Sequence, residues 1–597
     1  MCQRNRYQTK RLKYKLRNLL ALCCSMVSTV YFYAVPNEIA AENQSGCKPI
    51  NKVVFITDAD NSLPNPLSTP AEEYTYDSDG INDSPSRTTK ESAIGHYNTY
   101  WRKTLRFLPL DSADYIGLPY PYTTPTLRGN TLFAEMYYWD SYFINLGLLA
   151  SADSSQLLQA INNCNNLIYL ANRFGFVPNA NRFSMCNRSQ PPLLSGMVMD
   201  IFCRTKDTSW LRSALDAVAK EHHWWMQNRF TSMLPIRFSP ITRPHKPVGQ
   251  DVHLMIDDTV LAKHEENEYI AGDLSDTNPI KETTPTDRIL KAALSLKYGL
   301  NHYGQNADEI YLQRFSRFLK QRLGTEFDSL LEREAKDSVF ETQRERQSKG
   351  QILCKHMLAE AESGWDFTPR FDARCESIAA LDLNCLLYMG ELTLARGYAI
   401  LGEKHISKAW EKTALQRKKT MHKTLYDKST GLYWDFDLAN NKKTFVPGAA
   451  QFMPYFTGLA KQDRKSTLAL LFLCDTLITG FGVIPCLPVS NRVLWKTQWN
   501  SPNAWPCLTH FAAAGIYNYS HHSNPMLKIR PKTTRLFYSI RQTLLESFLG
   551  SVEKQYNQNG KFWEKYNLYS GNLNVQNEYE MPEFMGWTAG LYMYYKR

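Results

Sequence analysis

Glu362-Ser363-Gly364-Trp365-Asp366-Phe367 sets a carboxylate beside a tryptophan, just after a glycine that lets backbone come close. Cleaving a glycosidic bond uses such groups: an aromatic face for a pyranose ring and an acid within reach of the bridging oxygen. One run of this kind is ambiguous, because a Trp-Asp pair also serves as loop structure. The chemistry needs a second carboxylate and a polar wall. Four further blocks mix aromatics, carboxylates, amides and arginine in the same way. They are Glu135 to Tyr142, Pro178 to Pro192, Gln498 to Pro506, and Trp563 to Tyr566 followed by Glu578-Tyr579 and Gly586-Trp587-Thr588.

The elements that must hold these blocks read as helices. Leu157, Ile161, Cys164, Ile168 and Ala171 recur every three or four residues and Gly175 follows. Leu383, Leu387, Gly390, Leu394, Tyr398 and Leu401 repeat the pattern before Gly402. Such spacing predicts amphipathic helices stopped by glycine. A further helix is expected over about 532–549. Alternating strands are scarce, so the blocks fall in loops between helices.

Composition agrees with a globular chain. Of 597 residues 43% are hydrophobic and 21% charged, enough for a large core. Aromatics reach 13%, which suits sugar stacking and core packing alike. The net charge of +11 does not argue for nucleic acid. Much of it lies in Arg4, Arg6, Lys10, Arg11, Lys13, Lys15 and Arg17, and no nucleic-acid motif follows. The thirteen cysteines show no metal-ligand spacing, and no phosphate-binding glycine loop is present. No metal or cofactor is expected.

The basic tip (1–18) precedes an apolar run at 19–35, the pattern of a signal peptide or signal anchor. The run is marginal for a full span, which needs about 20 residues. The bulk of the chain is expected outside the cytosol: secreted, periplasmic or lumenal, and membrane-bound only if 19–35 is kept as an anchor. Residues 36–92 read as a polar linker and 93–597 as the catalytic domain. Within it, a polar region at about 240–347 reads as a solvated insertion or exposed helices.

Taken together, the blocks resemble trehalases of glycoside hydrolase family 37 over about 97–595. Tyr-Tyr-Trp-Asp-Ser-Tyr-Phe at 137–143 and Gln-Trp-Asn-Ser-Pro-Asn-Ala-Trp-Pro at 498–506 resemble the two family signatures. Arg-Ser-Gln-Pro-Pro at 188–192 and Ala-Glu-Ser-Gly-Trp-Asp-Phe at 361–367 match family segments. The resemblance implies an all-α (α/α)6 barrel and hydrolysis of α,α-trehalose to two glucose molecules with inversion. It puts Asp366 on the general acid and Glu564 on the general base. The acid needs a raised pKa, and an inverting pair stands about 6.5–9.5 Å apart to admit a water. The resemblance also puts Trp139, Asp140, Asn179, Arg188, Ser189, Gln190, Gly364 and Glu578 on sugar contacts.

Three positions depart from the family. The glycine-rich run before Trp139 is altered. Allowing a four-residue insertion puts Arg128 at the family's arginine, whereas an ungapped reading puts Leu132 there. The insertion is preferred because Pro-Tyr-x-x-Pro at 121–125 then aligns, so Arg128 joins the substrate contacts. The family's Arg-x-Glu element has no clear match, and Arg243-Pro244-His245 is similar only in its first two residues. Asn500 stands where the family has aspartate. The fold and the carboxylate pair are thus expected to be kept. Cleavage of a different α-glucoside, and a catalytically weak sugar binder on the same fold, both stay open. Oligomeric state is not legible.

Overall fold

A computed structural model describes residues 92–130, 132–232, 299–335, 343–488, 498–521 and 531–597. The basic tip, the apolar run at 19–35, the linker up to residue 91, Arg243-Pro244-His245 and most of the polar region lie outside the described residues. Among the described residues no helix is long and apolar enough to cross a membrane.

Fifteen described helices carry the fold: α1 Ala93–Tyr100, α2 Tyr138–Ala150, α3 Ser154–Phe174, α4 Leu194–Thr205, α5 Thr208–Asn228, α6 Glu309–Leu323, α7 Thr325–Ala335, α8 Gln343–Ser363, α9 Leu381–Ile400, α10 Lys404–Thr424, α11 Met453–Phe456, α12 Arg464–Leu477, α13 Pro506–His521, α14 Pro531–Asn559 and α15 Gly586–Lys596. Their starts repeat one device. Asp153, Asp207, Asp308 and Asp463 cap α3, α5, α6 and α12 by accepting the N–H of Ser155, Trp210, Tyr311 and Ser466. A carboxylate there satisfies an orphan donor and meets the positive end of the helix dipole. Gly175 ends α3 in the left-handed region at φ +80°, where a side chain would be strained.

Helices α2, α4, α9, α11, α13 and α15 form a closed inner ring, each touching the next and α15 returning to α2. They are the apolar helices; nearly every residue of α2 is buried. Helices α3, α5, α10, α12 and α14 alternate with them on the outside, with α1 against α15. The result is an (α/α)6 barrel. Because outer and inner helices alternate, all six inner helices run in one direction. The segments leading into them therefore gather at one end of the barrel. The blocks at 135–142, 178–192, 361–367, 498–506 and 563–579 all lie in or just before such segments.

Helices α6, α7 and α8 stand apart from the ring with a core of their own. Tyr311, Leu312, Phe315 and Leu319 pack against Phe327, Leu330, Leu353, Met357 and Leu358. Part of the region read as a polar insertion is therefore a packed helical layer whose α8 leads into Asp366. Strands are two or three residues long. One small sheet has functional weight: the strands Ile484–Pro485, Asn503–Trp505 and Tyr566–Asn567 pair with Asn503–Trp505 in the middle. Ala504 lies opposite Tyr566, which sets the 498–506 block beside Glu564.

Candidate active site

Asp366 is placed by the way α8 ends. Gly364 takes φ +74°, and a Cβ there would lie 2.9 Å from the Trp139 indole. Only glycine gives both the left-handed backbone and this close packing. Trp365 turns inward, stacked on Trp499 at 5.9 Å and covered by Arg370 at 4.5 Å. Asp366 stays half-buried, and Phe367 follows at φ +58°, packed into the core of α6–α8. Four residues before Asp366, buried Glu362 fixes the surroundings. It accepts the backbone N–H of Ser189 (2.9 Å) and Gly304 (2.7 Å) and both Nε (2.9 Å) and Nη2 (3.0 Å) of Arg229. Desolvation raises the pKa of Asp366, and the neighbouring Glu564 carboxylate adds to the rise. Arg322 and Arg188 pull against it.

Glu564 is held on three sides. Lys565 Nζ donates to its Oε2 at 2.6 Å and to Gln498 Oε1 at 3.0 Å. The Tyr579 hydroxyl donates to its Oε1 at 2.5 Å, and Trp587 Nε1 donates to its backbone carbonyl at 2.9 Å. Lys565 is completely buried, so its charge is balanced by Glu564 at short range. Two more carboxylates face the same space. Asp140 is pushed up to about 8 by burial, then by Glu564 and Asp366. Glu578 is pushed up to about 7 by burial and Asp366, against the pull of Arg322. Glu578 accepts the Gln498 N–H at 3.2 Å. Asp366 is thus coupled by charge to Glu564, Asp140 and Glu578, and Asp140 also to Glu564.

The remaining residues expected from the sequence divide into two groups. Arg188 acts electrostatically on Asp366, with Nη1 donating to Asn187 Oδ1 at 2.8 Å. Asn179, Ser189, Gln190, Trp139 and Gly364 brace the loops around the cleft. The Asn179 N–H donates to the Arg188 carbonyl and its side-chain amide to the Ser189 carbonyl. Ser189 Oγ donates to the Val177 carbonyl, and Gln190 Oε1 accepts the Trp139 N–H at 3.0 Å. Trp505 and Trp587 pack beneath: Trp505 stacks on Trp499 at 3.9 Å and meets Trp587 edge-on. Asn500 Oδ1 accepts the Ser501 N–H inside its turn. Arg128 is exposed, and among the described residues no contact joins it to the carboxylates; its backbone N–H donates to the Lys103 carbonyl. Leu132 is half-buried nearby, and Phe133 rests edge-on against Tyr579 at 5.4 Å.

Sequence reasoning missed Lys565, Tyr579, Gln498, Arg229 and Arg322. The first three sit inside blocks already singled out, next to the assigned carboxylates. Arg229 and Arg322 carry no local signal, since each becomes relevant only through a partner more than 100 residues away. Among the described residues no three His, Cys, Asp or Glu side chains gather as metal ligands. The arrangement offers a half-buried acid, a firmly held second carboxylate, neutral-leaning carboxyls that can donate as well as accept, and two arginines. That set suits proton transfer at a polyhydroxylated substrate.

Comparison with known proteins points the same way. The trehalase family model matches residues 68–278 and 290–595. The periplasmic trehalase of Salmonella enteritidis PT4 is 26% identical over 514 residues, 85% of this chain and 72% of that protein. The periplasmic trehalase of Pseudomonas aeruginosa is 26% identical over 489 residues, 80% of this chain and 71% of its own length. The neutral trehalase of Saccharomyces cerevisiae superposes with a TM-score of 0.53 at 20% identity, covering 85% of this chain and 79% of its own, and shares the fold. With the family match running through every block that lines the cleft, this chain belongs to the trehalase family.

Proposed function

We propose that this chain hydrolyses α,α-trehalose to two glucose molecules with inversion, with Asp366 as general acid and Glu564 as general base. The observation that carries this reading is the different setting of the two carboxyls. Burial favours the protonated form of Asp366, as a proton donor requires. Glu564 is gripped by a buried ammonium at 2.6 Å and by the Tyr579 hydroxyl at 2.5 Å, which fix its carboxyl in place to accept a proton from water. In the reaction Asp366 gives its proton to the bridging oxygen as the bond to the anomeric carbon breaks. Glu564 takes a proton from the water that attacks that carbon on the opposite face. One glucose leaves with the proton of Asp366 and the other keeps the water's hydroxyl. A proton returned from Glu564 to Asp366 through solvent restores the site.

Asp140, Arg188 and Glu578 are the sugar-facing groups in this reading. Trp139, Asn179, Ser189, Gln190 and Gly364 shape the wall, and Arg128 is left outside the cleft. The names of the relatives, with the basic tip and apolar run, support a periplasmic or secreted site of action. The test is glucose release from trehalose by the purified chain. Asp366→Asn and Glu564→Gln should each lower kcat by about 10²–10⁴-fold with melting temperature preserved. Proton NMR of the first product should show one α- and one β-glucose per turnover. Wild-type turnover no higher than that of the double variant would sink the assignment.

A further inference from the structure

Arg322 lies in the last turn of α6, in the helical layer outside the barrel ring. It reaches across the cleft to the loop after Glu564. Its Nε is 3.2 Å from Glu578 Oε2, with side chains 26% and 9% exposed. Its guanidinium sits 5.3 Å from the ring of Tyr579, whose hydroxyl donates to Glu564. Phe318 supports it from behind at 5.4 Å. The two charges are adjacent, yet the N–H is not aimed at the carboxylate oxygen. Arg322 Nε and Glu578 Oε2 are both buried, and neither has a hydrogen-bond partner among the described residues.

A buried donor and a buried acceptor left unmade are costly, and the cost is removed when a ligand fills both. A hydroxyl group is the simplest ligand that accepts from one and donates to the other. The flanking Tyr579 and the nearby Asp366 place that hydroxyl on the sugar being cleaved. We infer that Arg322 and Glu578 together grip one hydroxyl of the substrate's glucosyl unit, making Arg322 a specificity-determining residue supplied by the helical layer.

The inference rests on the trehalase reading and is tested on wild-type, Arg322→Ala, Arg322→Lys and Glu578→Gln chains. The substrates are trehalose and its 2-, 3-, 4- and 6-monodeoxy analogues, with kcat/KM measured for each pair. Hydrogen bonds to charged groups are worth about 10- to 150-fold. Wild type should lose that factor on one analogue above the others. Arg322→Ala should lose a similar factor on trehalose and nothing further on that analogue, while responding normally to the rest. Arg322→Lys should keep part of the preference, since an ammonium donates from a different position. Glu578→Gln should be blind to the same hydroxyl.

Two results would overturn the inference. One is Arg322→Ala cleaving trehalose within about twofold of wild type. The other is variant and analogue losses that multiply for every hydroxyl, as independent effects do. Arg322→Lys and Glu578→Gln keep the test open should Arg322→Ala fail to fold. A wild-type chain that leaves trehalose intact would instead refute the trehalase reading itself.

Discussion

In the proposed reaction Asp366 holds a proton before the bond breaks and releases it as the bond breaks, and its neighbours bear on both states. Burial and the Glu564 carboxylate favour the protonated form. The charge of Asp366 in turn adds to the rise that burial gives Asp140, Glu578 and Glu360. Arg188 and Arg322 favour the carboxylate that remains after proton transfer. The alkaline limb of kcat/KM should therefore report loss of the proton from Asp366. Removing a cation makes that proton harder to lose. Arg322→Gln is expected to move the alkaline limb to higher pH, and a full pH profile of variant and wild type checks it. A change in overall rate with an unmoved limb would mean that Arg322 does not act on Asp366. Asp140 yields a second prediction at this scale, in stability. Its folded pKa of about 8 stands above the unfolded value near 3.8, so the folded chain binds more protons between those limits. Its contribution is fully present below about pH 4 and is lost as pH rises through 8. Asp140→Asn should stay protonation-free across that range. The difference in unfolding midpoint between variant and wild type should then shift steadily in the variant's favour from pH 4 to pH 8. A constant offset in urea melts would show Asp140 to be ionised in the folded chain.

Between elements, Glu362 is the tie that makes a cleft out of separate loops. It fastens the end of α8 to the 187–192 loop at Ser189, to Gly304 after the strand Gly299–Asn301, and to Arg229 at the end of α5. Glu362→Gln would leave the buried Arg229 without its counter-charge, a loss of about 3–5 kcal/mol. Urea unfolding should show that decrease, with kcat falling because Asp366 and Arg188 lose their common anchor. An unchanged midpoint would mean that Arg229 finds another carboxylate. Legibility in the sequence follows the same division. The Glu362–Phe367 run was readable because its signals are local: a helix end, a glycine, an indole and an acid. Helix α3 was readable because one apolar stripe at period 3.6 faces the core, whereas α9 carries the same spacing but is buried on nearly every side, as an inner-ring helix is. Strands of two or three residues have no period to read, so the pairing of Asn503–Trp505 with Tyr566–Asn567 that brings Gln498 to Lys565 left no trace. Arg322 was hidden for another reason. A basic residue in the last turn of an amphipathic helix already has a generic explanation in the helix dipole. Its partner Glu578 lies in a different part of the chain, and only folding joins them. Arg128 shows the converse, an arginine suggested by alignment and placed on the surface.

The whole molecule depends on closing a ring between its first and last inner helices. Where α15 returns to α2, glycines face each other: a Cβ on Gly147 would lie 2.4 Å from Gly590 Cα, and one on Gly590 would lie 2.4 Å from the Phe143 carbonyl oxygen. The backbones of the two helices meet there with no room for a side chain between them. The same end of α15 carries Trp587, whose indole N–H holds the Glu564 carbonyl. It also carries Thr588, whose hydroxyl donates to the Trp563 carbonyl at 2.7 Å. Ring closure and placement of Glu564 are therefore one event, although Gly590 is remote in sequence from the carboxylates. Gly590→Val should force α15 outward from α2, with an overpacking cost of about 1–3 kcal/mol or more. Trp587 and Thr588 would draw Glu564 away from Asp366, so kcat should fall further than the fraction of folded protein explains. The comparison to make is kcat per folded molecule, from circular dichroism melts and glucose release on one preparation. A variant that melts lower yet keeps wild-type kcat per folded molecule would separate closure from chemistry. It would locate the control of Glu564 in Lys565 and Tyr579 alone. The packing argues against that outcome, because both bonds from α15 hold the backbone on which Glu564 and Lys565 stand.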